Sequence, residues 1–183
     1  MRAERKVPPT RVMPKDPEKH ASARRARELL TRQFGHVEFQ PGQWEAMQAL
    51  LDGRDAVVVM PTGSGKSLIY QLPALMLPGL TVVVSPLIAL MKDQQDKLNA
   101  VGVDALAVHS HLSGPATRET HRQIKDGEGS ILYVTPERFK DRDFFERLLV
   151  RKVSLFVIDE ADRLEVAGLE QVRDIFDRGG IWF

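Results

Sequence analysis

Along the chain, short continuous apolar runs alternate with longer stretches of helical periodicity. The runs are VVVM at 57–60, LTVVVS at 80–85, ALAV within 104–108, ILYV at 131–134 and VSLFVI at 153–158. Each is about strand length and rich in β-branched residues, and none shows the strict apolar–polar alternation of a half-solvated strand. Between them, 66–76, 88–101 and 116–125 read as helices, and a further helix opens at 135–138. Upstream, 18–34 is helix-favourable, with Ala26, Leu29, Leu30 and Phe34 on one face and Gly35 as a stop. Residues 43–52 repeat the pattern with Trp44, Met47, Leu50 and Leu51. Strands buried on both faces and separated by helices predict an α/β fold, a mostly parallel sheet with helices on both faces. In such a sheet functional residues gather at the carboxyl ends of the strands.

Two of those ends carry a recognisable chemistry. Residues 57–67 read VVVMPTGSGKS, a strand, a Gly-rich turn and a helix start, the context of a phosphate-binding P-loop. Gly63 and Gly65 allow backbone N–H groups to curl around an anion, and the helix start adds unpaired amides and a positive dipole end. Lys66 would reach the β- and γ-phosphates, and the Ser67 hydroxyl would hold Mg²⁺. Met60 stands where the general pattern has its first Gly. The second end is Asp159-Glu160-Ala161-Asp162, directly after 153–158. A strand ending in acids, downstream of one ending in Gly-Lys-Ser, brings both to one crevice. Asp159 would hold Mg²⁺ and Glu160 would orient and deprotonate an attacking water. The expected activity is ATP hydrolysis. Gln43, just upstream of the P-loop, has an amide suited to adenine, which it can both accept from and donate to.

Composition narrows the picture. The 183 residues suit one domain, and 43% hydrophobic content supplies its core. The net charge of +1 is unevenly spread: residues 1–36 hold ten Lys/Arg against four acids, leaving the remainder at −5. Residues 1–19, with four prolines among charges, are expected to form a flexible basic arm, either touching a phosphate backbone or simply solvated. The domain proper is expected to span 20–183. There is no cysteine, so neither a disulfide nor a thiolate zinc site is available. His109 and His111 lack further ligands nearby and read as a surface loop or strand end. No apolar run reaches membrane-spanning length, so a soluble, cytoplasmic protein without a membrane partner is expected.

The quoted P-loop stretch, LTVVVSPLIALMKDQQDKL, ILYVTPERF and DEAD together resemble superfamily 2 helicases, specifically the first RecA-like motor domain of RecQ-type DNA helicases. FGHVEFQPGQWEAM is similar to that family's adenine-sensing motif. The resemblance covers 34–162. It implies that Gln43 recognises adenine and that Thr62, Gly63, Ser64, Gly65, Lys66 and Ser67 hold the phosphates of ATP. It implies Ser67 and Asp159 for Mg²⁺, with Lys66 and Glu160 catalytic. It further implies that Ser85, Pro86, Leu87, Lys92, Thr135, Pro136, Glu137 and Arg138 touch one DNA strand. Ser and Thr hydroxyls and helix starts at strand exits can grip phosphates without reading bases, while Pro at such places also simply punctuates a helix start. Three positions depart from the family pattern: His36 and Gln40 replace an aromatic and an Arg, and Asp162 replaces a His. The stretch 163–183 lacks the family's aromatic-rich loop and looks like that following the acidic motif of AAA+ transposition ATPases. The expectation is therefore a divergent motor domain, truncated after its acidic box. It would bind ATP, hydrolyse it weakly, and need a second motor domain for unwinding. An AAA+-type DNA-transaction ATPase and a non-enzymatic nucleotide-binding remnant stay open beside it.

Overall fold

A computed structural model describes residues 17–61, 63–164 and 170, with side chains described from residue 21. Thr62, the arm up to residue 16 and all but one residue of 165–183 lie outside the described residues. The chain runs α1 (Pro17–Phe34), α2 (Gln43–Leu51), α3 (Leu68–Ala74), β1 (Leu80–Val84), α4 (Ile88–Ala100), β2 (Ala105–Val108), α5 (Gly114–Asp126), β3 (Ile131–Val134), α6 (Arg142–Leu149) and β4 (Val153–Ile158). Two 3₁₀ turns, Pro136–Lys140 and Ala161–Arg163, follow β3 and β4. The four strands form one parallel sheet in the order β2-β3-β1-β4.

Period-2 geometry explains why the strands are apolar throughout. On one face Val83, Ala105, Ala107, Ile131, Tyr133 and Leu155 pack against Tyr70 and Ala74 of α3 and Met91 and Leu98 of α4. On the other, Leu80, Val82, Leu106, Val108, Leu132 and Val134 pack against Ile124 of α5 and Phe144 and Leu148 of α6. A third cluster, Ala26, Leu30, Met47, Leu68, Ile69 and Leu72, docks α1 and α2 onto α3. Ala26 and Leu30 of the expected face are fully buried there. Because all strands run the same way, their exits share one edge. Ser85 N donates to Val134 O, Thr135 N to Val108 O and Asp159 N to Val84 O, which locks those exits into register.

Two expectations need correction. Residues 57–60 are not a strand of the sheet. Val57 is 96% and Val59 92% exposed, whereas Val58 and Met60 lean on the α1–α3 cluster. β propensity is realised only against a paired, packed neighbour, and among the described residues none hydrogen-bonds this stretch. A cavity of about 160 Å³, lined on one side by Ala56 and Val58 and on the other by Leu155, Val157 and Ile158, separates it from β4. The helix after the P-loop is also shorter than 66–76. It starts at Leu68 and ends at Ala74, with Pro73 inside it, so its dipole is smaller than expected and the loop amides matter more. No helix among the described residues is long and apolar enough to cross a membrane.

Candidate nucleotide site

The loop from Pro61 to Ser67 is closed by local hydrogen bonds. Ser64 gives both its N–H and its hydroxyl to Pro61 O, at 3.2 Å and 2.6 Å. Leu68 N donates to Gly65 O and Ile69 N to Lys66 O, so the first turn of α3 grows directly out of the loop. Gly65 sits at φ +74°, and a Cβ built there would stand 2.6 Å from Gln43 Nε2. Glycine is therefore required twice at this position, by conformation and by space.

Gln43 explains that crowding. It is 2% exposed, and its amide is fully engaged. Nε2 donates to Gly65 O at 3.0 Å and reaches Ser64 O at 3.4 Å, while Oε1 accepts from Gln40 N at 2.8 Å. The side chain expected to meet adenine thus ties the start of α2 to the P-loop. A second cavity, about 380 Å³, opens beside it, lined by His36, Glu38, Gln40, Gln43, Gly63, Ser64, Gly65 and Leu68.

The acidic motif meets the loop from the other side. Lys66 Nζ lies 3.7 Å from Glu160 Oε1, both side chains partly buried, and Glu160 Oε2 accepts from Arg163 Nε at 3.1 Å. Glu160 adopts φ +53°, which no other non-glycine described residue shares. A bulky residue holds that conformation only when its surroundings impose it, and here it turns the carboxylate toward Lys66. Asp159 Oδ1 accepts from Glu160 N at 3.1 Å and Oδ2 from the Tyr70 hydroxyl at 3.4 Å. Burial, and after it the Glu160 charge, raises the Asp159 carboxyl above its ordinary range, against the pull of the Glu160 N–H, Tyr70 and Lys66.

Among the described residues no cluster of three or more His, Cys, Asp or Glu side chains forms a metal cage. Among the described residues, the Ser67 hydroxyl and the Asp159 carboxylate are the groups assigned to a metal here. That sparse, hard-oxygen set suits Mg²⁺, which keeps its waters and shares phosphate oxygens, and does not suit a fully protein-held metal.

The other strand exits look different. Ser85 and Thr135 are 2% and 1% exposed. Ser85 Oγ accepts from Leu87 N, and Thr135 Oγ1 donates to Glu137 Oε1 at 2.7 Å. Arg138 is held by Asp141 at 2.8 Å, the residue whose carboxylate caps α6 by accepting from Phe144 N. Pro136 is buried, Pro86 and Leu87 are half-buried, and Lys92 and Glu137 are exposed. The two hydroxyls expected to grip phosphates are thus turned inward and used locally, whereas Lys92 is exposed and, among the described residues, makes no ion pair with an acid. His109 follows directly on β2, the strand end expected of it.

Sequence reasoning did not mark Tyr70, Gln71, Tyr133 and Gln94. Gln71 Nε2 donates to the Tyr133 hydroxyl at 3.2 Å and to Gln94 Oε1 at 2.7 Å, which runs a buried polar line from α4 toward Asp159. A signal was available: a Tyr-Gln pair inside the otherwise apolar LIYQLPA needs buried partners.

A Gly-rich loop and a strand-end acid pair facing each other across one crevice of a parallel sheet define the RecA-like class of P-loop nucleotide-binding domains. The sequence profile of the DEAD/DEAH box helicases matches residues 40–179, and the chain belongs to that family. It is 40% identical over 153 residues to an ATP-dependent DNA helicase RecQ of Haemophilus influenzae, covering 84% of this chain and 25% of that protein. To the RecQ helicase of Bacillus subtilis it is 43% identical over 138 residues, 75% of this chain and 23% of that protein. The chain thus spans about a quarter of the length of these relatives. Among solved structures it is similar to the DUF1998 helicase MrfA bound to DNA and AMPPNP, with TM-score 0.58, 25% identity and coverage of 73% of this chain and 20% of that one. A hypothetical ATP-dependent RNA helicase from Sulfolobus tokodaii shares the fold at TM-score 0.56 and 19% identity, over 84% of this chain and 55% of that one.

Proposed function

We propose that this chain is the first ATP-binding motor domain of a RecQ-like DNA helicase, hydrolysing ATP with Mg²⁺ and gripping single-stranded DNA. The observation that carries the reading is the pairing of Lys66 with Glu160 at 3.7 Å across the crevice. A cation and an acid 94 positions apart share one partly buried spot with no other described side chain interposed. Glu160 faces Lys66 through Oε1 and Arg163 through Oε2. A bound triphosphate would take Lys66 from Glu160, because phosphate oxygens offer a stronger charge-assisted partner. Glu160, still held by Arg163 at Oε2, would then have Oε1 free to orient and deprotonate water in line with the γ-phosphate.

Ser67 and Asp159 would hold Mg²⁺, which when bound neutralises charge developing on the phosphates. The amides of the 63–67 loop would cradle those phosphates. Gln43 would sense adenine only after releasing Gly65 O, so adenine recognition and P-loop geometry are linked through one amide. Relatives named as RecQ DNA helicases and a DNA-bound structural neighbour support DNA as partner, with Lys92 the first contact. A second motor domain would complete the site with an arginine, whose loss in related phosphoryl-transfer enzymes costs about 10³–10⁵ in rate. The isolated chain is accordingly a slow ATPase that does not unwind.

Nucleotide binding and ATP turnover, with and without single-stranded DNA, test this. Lys66→Ala should weaken nucleotide binding by about a hundredfold or more. Glu160→Gln should keep binding and lose about 10²–10⁴ of turnover. Unaltered nucleotide affinity in Lys66→Ala would refute the P-loop assignment.

A further inference from the structure

The chain has two tyrosines, and both lie in the buried polar line behind the crevice. The Tyr70 hydroxyl donates to Asp159 Oδ2 at 3.4 Å, and the hydroxyls of Ser67 and Tyr133 lie against it as hydrogen-bonding neighbours. A phenol has a single proton to give. That proton faces two acceptors, Asp159 Oδ2 and the Tyr133 hydroxyl, and Ser67 can meet Tyr70 only as a donor. Tyr133 in turn receives Gln71 Nε2 at 3.2 Å, and the same Nε2 is fixed by Gln94 Oε1 at 2.7 Å. These contacts join Gln71, Tyr133, Tyr70 and Asp159 in one line, with Ser67 meeting it at Tyr70. Tyr70, Gln71 and Tyr133 are all buried, so bulk water does not compete for these bonds.

The consequence falls on the two groups assigned to the cation. Ser67 commits its proton to Tyr70, which leaves its oxygen lone pairs for a metal. Asp159 is held from behind through Oδ2, which fixes the plane of its carboxylate. Outer partners of this kind orient ligands and tune their affinity. We propose that Tyr70 is a positioning residue that sets Ser67 Oγ and the Asp159 carboxylate for a divalent cation bound together with nucleotide, and that Tyr133 and Gln71 hold the Tyr70 hydroxyl in place beside Asp159. The proposal rests on the nucleotide reading above.

Binding is the readout, independent of turnover. Mn²⁺ is titrated into the chain saturated with ADP and followed by electron paramagnetic resonance, and ADP affinity is measured separately in EDTA. Tyr70→Phe should weaken Mn²⁺ about tenfold to a hundredfold and leave metal-free ADP affinity unchanged. Tyr133→Phe should shift Mn²⁺ in the same direction by less. Thr81→Val, which removes a buried hydroxyl with no hydrogen-bond partner among the described residues, should shift neither. Wild-type Mn²⁺ affinity in Tyr70→Phe overturns the proposal. So does a proportional loss of metal-free ADP binding and thermal stability, which would make Tyr70 ordinary core. Should Tyr70→Phe fold poorly, Tyr133→Phe decides alone, and unchanged Mn²⁺ affinity there overturns the orienting role. If the wild-type chain binds no Mn²⁺ with ADP, the nucleotide reading itself falls, an outcome visible without any variant.

Discussion

The crevice at the β4 exit and the exits of β1 and β3 are built from the same ingredients, a strand ending in hydroxyl and charged residues. They spend them differently. At β4, Lys66 and Glu160 Oε1 are partnered with each other, a pairing that a nucleotide can replace, while Arg163 holds the other Glu160 oxygen. At β1 and β3, Ser85 and Thr135 are buried, bonded within two residues of themselves, and Arg138 is committed to the carboxylate that caps α6. The first arrangement has exchangeable partners; the second is finished. A polar residue at a strand exit thus becomes a binding group only if its partner can be displaced at little cost.

The sharpest way to break that contrast is at Gly65, where the exchangeable region depends on a fixed contact. Gly65→Ala meets both a left-handed φ of +74° and Gln43 Nε2 at 2.6 Å. Gly127, which closes α5 at φ +87°, offers open space around the same Cβ. Gly127→Ala should cost about 1 kcal/mol from backbone conformation alone. Gly65→Ala should cost about 1–3 kcal/mol more, because it also displaces a buried amide from its partners, and it should weaken nucleotide binding. Denaturant midpoints of the two variants measure the difference. Equal costs would mean that Gln43 moves aside freely and does not tie α2 to the loop.

A smaller effect separates free from committed groups on the DNA side. Lys92→Ala should weaken single-stranded DNA and reduce the steepness of its salt dependence by about one ion-pair unit. Ser85→Ala and Thr135→Val should leave that salt slope alone and lower stability by about 0.5–1.5 kcal/mol, the worth of one local hydrogen bond. Binding titrations across a salt series, beside urea melts, give both numbers. A drop in DNA affinity at unchanged stability in Thr135→Val would show that this hydroxyl turns outward when DNA arrives.

The sheet was legible in the sequence because strands buried on both faces leave an unbroken apolar signature, as ILYV and VSLFVI do. Their bounds, 131–134 and 153–158, agree with the structure. VVVM carries the same signature and was misread, since a strand needs a neighbour that composition cannot supply. The loop and acid pair were legible because Gly, Lys, Ser, Asp and Glu there have few other reasons to occur in that order. The state of Gln43, Ser85 and Thr135 was not, because side-chain commitment depends on contacts such as Gln43 to Gly65, made across a fold rather than along a chain. Tyr70 and Tyr133, 63 positions apart, were invisible for the same reason.

The smallest expected effect lies away from the crevice, on the α5–α6 face, and isolates stability from function. His121 packs against Phe144 with ring centroids 5.8 Å apart, and its Nε2 is buried with no hydrogen-bond partner among the described residues. Burial is the main cause that lowers this imidazole below 6.5; Arg138 and Arg147 add to it, while Asp141 and Asp143 oppose it. The folded chain therefore binds fewer protons at this site than the unfolded chain once the pH drops below about 6.5. The stabilisation is complete above that pH, is lost as the pH falls toward the lowered folded value, and levels off beneath it. His109 is lowered too, by burial and then by His111, so it shares in the same acid-side loss. His121→Leu keeps an apolar contact with Phe144 and removes one titrating group. Thermal midpoints at pH 7.5 and 5.5 should therefore differ less in the variant than in the wild type, with nucleotide affinity at pH 7.5 unchanged. An unaltered difference would assign the acid sensitivity to His109, moving it from the far face of the sheet to the strand exits.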